Sequence, residues 1–259
     1  MHQILSIAGS DSSSIAGIQA DIRTANRFNT YCATAITALT AQNSSEISTI
    51  QNADPLFFSK QLDILFSDIK FDAIKIGMIP NKEIADIIYK KLKNLNIKII
   101  FDPIIRSTSD VILANNSAVE QFTKKIIKIC YLITPNISEV EKITNFKISS
   151  INDIDKAVLS LRKIGAKNIL ITGGHLKNNE NKISNFLFDE NNNKYIISNK
   201  KLVKDFRGTG CTLSTAITCN IANSIDLLKS IKSANKYVYQ IAKNSHKIGM
   251  GYKILGLTA

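Results

Sequence analysis

The sequence predicts an α/β fold, a mostly parallel central sheet with helices on both faces, and three observations predict it. Short apolar runs alternate with segments of helical spacing along the whole chain of 259 residues. Those runs are apolar at successive positions rather than at every second one, the pattern of strands covered on both faces. Glycines and polar motifs fall where the runs end, which is where such sheets bind ligands. No Ser/Pro/Gly-rich linker and no internal repeat divides the chain, so residues 1–259 are read as one domain.

Ile4 to Ala8 is the first strand, ending in Gly9-Ser10-Asp11. Ala16 to Phe28 has helical spacing, with Ile18, Ile22, Ala25 and Phe28 on one side. Tyr31 to Leu39 is a second buried strand, closed by Thr40-Ala41-Gln42-Asn43. Asp54-Pro55 starts a helix running to about Asp68, because Asp caps well and Pro fits the first turn. Ala73 to Ile76 is a strand before Gly77, Asn81 caps a helix through Leu95, and Ile97 to Phe101 delivers Asp102-Pro103.

A helix near Ala118 to Lys128 leads to a strand from Cys130 to Ile133 and then Thr134-Pro135-Asn136. Ile151 to Ile164 is helical, and Ile169 to Thr172 is a strand closed by Gly173-Gly174-His175. Asn185 to Phe188 and Tyr195 to Ser198, split by a polar run, read as a hairpin. Two helices finish the chain, about Thr209 to Asn223 and Asp226 to Lys247.

Hydrophobic residues at 44% and charged ones at 21% are ordinary for a soluble globular protein. The formal charge of +12 is spread through the chain with abundant Asn and Ile, not gathered into a stripe. That argues against nucleic acid as a partner, while the field still favours an acidic substrate such as a nucleotide. Cys32, Cys130, Cys211 and Cys219 show no metal or C-x-x-C spacing and suit a reducing cytosol. No signal peptide and no membrane-length apolar stretch is visible, so the expected location is cytoplasmic. Self-association stays open.

The most informative stretch is Arg207-Gly208-Thr209-Gly210-Cys211-Thr212-Leu213-Ser214. Glycines let backbone N–H groups converge on an anion, and the helix that begins there adds free donors and a positive dipole end. A thiol at that point is expected to lose its proton more readily. The same residues also suit a Gly-rich helix start with a small buried cysteine, and spacing alone does not choose. Neither G-x-x-x-x-G-K-[ST] nor a strand-linked G-x-G-x-x-G is present, which excludes kinases and dehydrogenases built on those cradles.

The strings IAGSD (7–11), AGIQAD (16–21), ITALTAQN (36–43), KIGM (75–78), DPI (102–104), LITPN (132–136), GGH (173–175) and GTGCTLS (208–214) occur in order over most of the chain. Together they resemble the hydroxymethylpyrimidine/phosphomethylpyrimidine kinase family of thiamine biosynthesis, a branch of the ribokinase-like superfamily. The resemblance implies two ATP-dependent phosphorylations at one site, of the pyrimidine's hydroxymethyl group and then of the monophosphate. Mg²⁺ is expected with ATP, because phosphoryl transfer needs its charge bridged.

The resemblance also assigns roles. Gln42 can donate and accept, which suits an aminopyrimidine edge. Gly9 would let the backbone approach the ring, Ile104 would line it, and Asp21 would bond a polar edge, unless Asp21 is only the first-turn acid of its helix. Asp102, Asn136, Thr172 and Gly173 would face nucleotide and phosphates. Asn136-Ile137-Ser138-Glu139 has the form of a capping box, and Glu139 would also hold Mg²⁺ through water. Gly208, Thr209 and Gly210 would cradle the transferring phosphoryl group, and Cys211 would take the hydroxymethyl proton. His175 would lie near nucleotide or stabilise its turn, and the other three cysteines are assigned to the core.

Three places depart from the family pattern. Ser12 to Ile15 replace a proline and a Gly-Gly pair, Arg106 to Asp110 lacks an expected glycine, and Arg207 stands where His is common. Two rival functions remain at this point. One is a pyridoxine/pyridoxal kinase of the same superfamily; the other is a degenerate homologue that binds pyrimidine or nucleotide without catalysis.

Overall fold

The computed structural model describes residues 1–173, 182–202 and 206–256. In these residues the chain forms one nine-stranded sheet in the order β3-β2-β1-β4-β5-β6-β7-β8-β9. The strands are β1 (His2–Asp11), β2 (Thr30–Gln42), β3 (Ile47–Asn52), β4 (Ala73–Ile76), β5 (Lys98–Phe101), β6 (Leu132–Ile133), β7 (Asn168–Gly173), β8 (Lys182–Phe188) and β9 (Lys194–Lys200). β1, β2 and β4 to β7 run parallel, while β3, β8 and β9 are antiparallel additions at the two edges. From β1 the chain moves outward first to one side and then to the other, which opens a crevice at the strand ends beside β1.

The helices are α1 (Gly17–Arg27), α2 (Pro55–Asp68), α3 (Lys82–Leu92), α4 (Asn116–Gln121), α5 (Ile127–Ile129), α6 (Ile137–Thr144), α7 (Ile151–Ile164), α8 (Thr209–Ala222) and α9 (Leu227–Lys243). A π-helical stretch, Phe122–Ile126, joins α4 to α5. The expected caps form: Asp54 accepts from Phe57 N–H at 2.8 Å and Asn81 from Ile84 N–H at 3.0 Å.

Alternate residues of each central strand face opposite layers. Leu5, Ile7, Ile74, Ile76, Ile99 and Phe101 pack into the core under α2, α3 and α7. Ile4, Ala73, Ile100, Leu132 and Leu170 meet Leu213, Ala216 and Ile217 of α8 and Ile231 of α9. The same period places Ser6 and Lys75 among the second set, polar groups inside an apolar layer. Lys75 is fully buried.

The structure corrects some boundaries. β1 continues through Gly9-Ser10-Asp11 instead of ending at Ala8, and β3, which has no counterpart among the elements expected from sequence, pairs antiparallel with β2. Its residues ISTIQN are mostly exposed, so they carry no buried-strand pattern. Cys130 closes the helical segment by donating to the Ile126 carbonyl, and the strand begins later at Leu132. The helix after Asn81 ends at Leu92 rather than Leu95, and α9 ends at Lys243 rather than Lys247.

Candidate active site

A cleft of about 1320 Å³ opens at the carboxyl ends of β1, β2 and β4 to β7. Gly9, Gln42, Asp102, Ile104, Asn136, Glu139, Thr172, Gly173 and Gly208 to Cys211 all line it. Residues 200 positions apart in sequence are thus brought together as expected.

At the β1–β2 end, the register between the two strands slips at Gly9, and a Cβ there would come within 2.9 Å of the Met78 sulfur. Gly17 takes φ +60°, and its Cβ would meet the Gly9 carbonyl at 2.4 Å, so only glycine fits. Asp11 organises the loop between them. Its carboxylate accepts from Ser13 N–H, the Ser13 hydroxyl, Ile15 N–H, Ala16 N–H and Gln42 Nε2, all at 2.6 to 3.1 Å. Gln42 is half-buried and lines the cleft; its Nε2 donates to Asp11 Oδ2 at 3.1 Å and its Oε1 accepts from the Thr40 hydroxyl at 3.5 Å.

The glycine stretch caps α8. Gly208 lies at φ +90°, and a Cβ on it would fall 2.3 Å from the Ile15 carbonyl oxygen. The loop is therefore docked against the loop that Asp11 holds. Gly210 faces the Asp102 carboxylate, with 3.5 Å left for a Cβ. The Ser214 hydroxyl reaches both Asp102 Oδ2 at 3.3 Å and the Gly210 carbonyl at 3.0 Å. Cys211 is 7% exposed.

Two expectations change here. Burial pushes the Cys211 thiol up to about 12, against the pull of Lys75, with Asp102 and Asp21 adding to the rise. The helix N-terminus does not outweigh the loss of water, so the ligand-free site holds a neutral thiol. Asp21, expected on the substrate, is fully buried and absent from the cleft lining. It accepts from Lys75 Nζ at 2.8 Å, the Ser6 hydroxyl at 2.5 Å and the Thr215 hydroxyl at 2.6 Å. Both oxygens are bonded within the floor beneath the site, and burial keeps the carboxylate from a ligand in the cleft.

Lys75 is the functional group that the sequence reading left without a role. Burial alone would lower its pKa; the Asp21 carboxylate beside it, with a smaller contribution from Asp102, outweighs that and holds it charged. A lone lysine inside Ala73–Ile76, an otherwise apolar run, was the available clue. Asp102 is pushed above the usual carboxylate range by burial, partly countered by Lys75.

At the β6–β7 end, Asn136 bridges to Thr172, and the predicted capping box forms: Asn136 Oδ1 accepts from Glu139 N–H at 3.0 Å while Glu139 accepts from Asn136 N–H at 2.8 Å. Glu139 is buried, and burial plus the charge of Asp102 raise its pKa well above normal. Gly173 sits where a Cβ would meet the Ser184 carbonyl at 2.4 Å. Gly174 and His175 lie outside the described residues. Cys130 and Cys219 are buried in the two cores, and Cys32 packs partly buried against the second.

Comparison with known proteins adds the family. The model for phosphomethylpyrimidine kinase matches residues 11–256. The chain belongs to the phosphomethylpyrimidine kinase family. A hydroxymethylpyrimidine/phosphomethylpyrimidine kinase of Aquifex aeolicus is 39% identical over 252 residues, covering 97% of this chain and 98% of that protein. A crystal structure of phosphomethylpyrimidine kinase from Clostridium difficile is 34% identical with a TM-score of 0.82, over 93% of this chain and 99% of its own. The pyridoxal kinase of Staphylococcus aureus, solved with pyridoxal, is 27% identical with a TM-score of 0.90, over 100% of this chain and 94% of its own. The fold is ribokinase-like, and the chain is a kinase of this family.

Against the family pattern, the replaced loop keeps a glycine-like backbone without the glycines. Ser14 adopts φ +60°, held by its N–H to the Asp11 carbonyl at 2.9 Å. Ser12 ties the loop to β2, accepting from Gln42 N–H at 2.9 Å and donating to the Gln42 carbonyl at 2.8 Å. Arg106 pairs with Asp110 at 3.0 Å within its own exposed turn. No helix among the described residues is long and apolar enough to cross a membrane.

Proposed function

We propose that residues 1–259 act as one kinase domain that phosphorylates 4-amino-5-hydroxymethyl-2-methylpyrimidine with ATP, and then phosphorylates the monophosphate to the pyrophosphate. The carrying observation is that Gln42 and Gly9 share one cleft with the glycine loop Gly208 to Cys211. The field of the α8 N-terminus and the loop N–H groups is placed where negative charge collects during transfer.

In this reading Gln42 pairs with the aminopyrimidine edge, Gly9 and Met78 form the surface beneath the ring, and Ile104 covers it. Asn136, Thr172 and Gly173 contact the nucleotide on the β6–β7 side. Among the described residues no three metal-ligating side chains gather at one point. Asp102 and Glu139 are buried oxygen donors that repel one another, a set that fits a hard cation keeping its own waters and phosphate ligands. Mg²⁺ held there would supply the charge that neutralises the transferring phosphate.

Cys211 can act as the base only as its thiolate, so in this reading its thiol proton leaves to solvent as the substrates bind, and the thiolate then takes the hydroxymethyl proton as the bond from that oxygen to phosphorus forms. A loose transfer asks little of the base, and positioning carries most of the rate. The cellular setting that suits four free cysteines is the cytoplasm.

Pyridoxal kinase is kept as a second reading on one observation, the TM-score of 0.90 against 0.82 for the phosphomethylpyrimidine kinase structure. Single-turnover assays with labelled ATP and either alcohol separate the two. Phosphate transfer to pyridoxal but not to the pyrimidine would overturn the main reading.

A further inference from the structure

Arg207 is a buried guanidinium with donors to spare. Only 4% of the residue is exposed, yet its Nε and Nη1 have no hydrogen-bond partner among the described residues. Its Nη2 donates to the Ser45 carbonyl at 3.0 Å, and its Cζ lies 4.1 Å from the centroid of the Tyr252 ring. Its backbone N–H is held by the Lys253 carbonyl at 3.2 Å. The side chain is thus fixed by a carbonyl, a ring face and its own backbone. Enclosing a charged group with idle N–H donors is unfavourable, and such a group calls for an acceptor that the described residues do not supply.

The position indicates which acceptor. Arg207 directly precedes Gly208 and lines the same cleft as Gln42, Gly9, Gly210 and Cys211. Ser45, its anchor, lies in the connection between β2 and β3, three residues past Gln42. Arg207 therefore stands on the β1–β2 side of the glycine loop. Asn136 and Thr172 lie on the opposite side, after β6 and at the end of β7. A guanidinium is matched in charge and planar geometry to a phosphate. A phosphate reaching Arg207 from the acceptor side is one that the acceptor itself carries.

We infer that Arg207 binds the phosphate monoester of the acceptor in the second phosphoryl transfer, and so favours the phosphorylated acceptor over the free alcohol. The inference rests on the two-step reading above. Arg207 takes no part in bond making; it positions a phosphate oxygen toward the phosphoryl group held at Gly208 to Gly210.

The test compares wild type with Arg207→Gln and Arg207→Lys, measuring kcat and KM for the alcohol and for its monophosphate at saturating ATP. Loss of charge-assisted hydrogen bonds is expected to raise KM for the monophosphate on the order of ten- to a hundredfold in Arg207→Gln. That increase should exceed the change for the alcohol by at least about tenfold, with Arg207→Lys falling between. Equal losses for both acceptors, or no loss for either, would overturn the assignment. If wild type makes no pyrophosphate, the two-step reading has failed instead. Calorimetric binding of monophosphate and alcohol without ATP still decides Arg207: equal affinities for the two ligands in wild type would reject it. Should both variants unfold, the Arg207 Nε–H resonance of wild type decides, since it must shift with monophosphate and stay in place with the alcohol.

Discussion

Lys75 Nζ lies 2.8 Å from Asp21 Oδ2 beneath the glycine loop, and solvent reaches neither side chain. The pair joins β4 to α1, and the Thr215 hydroxyl adds α8 through its bond to Asp21 at 2.6 Å. One buried charge pair thus ties together the strand and two helices that position the floor of the cleft.

Breaking that pair from one side is expected to be severe. Lys75→Met leaves the Asp21 carboxylate enclosed without its counter-charge, a loss of about 3 to 5 kcal/mol. Lys75→Met with Asp21→Asn should recover most of it, because no uncompensated charge remains. Urea denaturation of the two variants checks this; equal destabilisation of single and double variants would show that the pair does not hold the floor.

The two glycines of the loop should separate fold from chemistry. Gly208→Ala forces a Cβ against the Ile15 carbonyl at φ +90° and is expected to destabilise the protein. Gly210→Ala has 3.5 Å of room and a helical backbone, so stability should stay within about 1 kcal/mol. Its methyl group would nonetheless stand beside Asp102 in the proposed phosphate cradle, and kcat should fall on the order of a hundredfold. Thermal unfolding and steady-state rates read the two effects apart.

Gln42→Ala should raise KM for the pyrimidine about ten- to a hundredfold while leaving ATP affinity almost intact. Gln42 ends β2 and bonds Asp11 at the end of β1, while Asn136 and Thr172 belong to the β6–β7 side. An unchanged KM would remove Gln42 from acceptor recognition.

Glu139 carries a pH signature. Its pKa is raised in the folded chain by burial and by Asp102, so the folded protein holds a proton that the unfolded chain releases. Stability contributed by that proton is present below the ordinary glutamate range and is lost as pH climbs through the raised value. Without Mg²⁺ the melting temperature should therefore decline across that window, and less so in Glu139→Gln. Binding of Mg²⁺ with ATP should release protons, read as a buffer-dependent heat in calorimetry. A heat independent of buffer would remove the metal from this carboxylate.

Much of this was legible in sequence where the cause is local. Asp54-Pro55, Asn81 and the Asn136/Glu139 box stop and start helices through contacts three residues away, and all three formed as read. The edge strand Ile47–Asn52 was missed because its side chains face water on both sides and carry no period. Tertiary facts were not legible. Asp21 looked available until Lys75, 54 residues later, was seen to occupy it. Cys211 was expected to be an acidic thiol from its place at a helix start, and burial reversed the sign. Arg207 was noticed as a departure, but its idle donors depend on Ser45 and Tyr252, distant in sequence on either side.

The most direct test of the central claim is a product assay. Purified protein given the pyrimidine alcohol and MgATP should form the monophosphate first and the pyrophosphate after it, with both products well above those from Cys211→Ala. Product levels no higher than that control, or phosphate transfer to pyridoxal alone, would contradict the account.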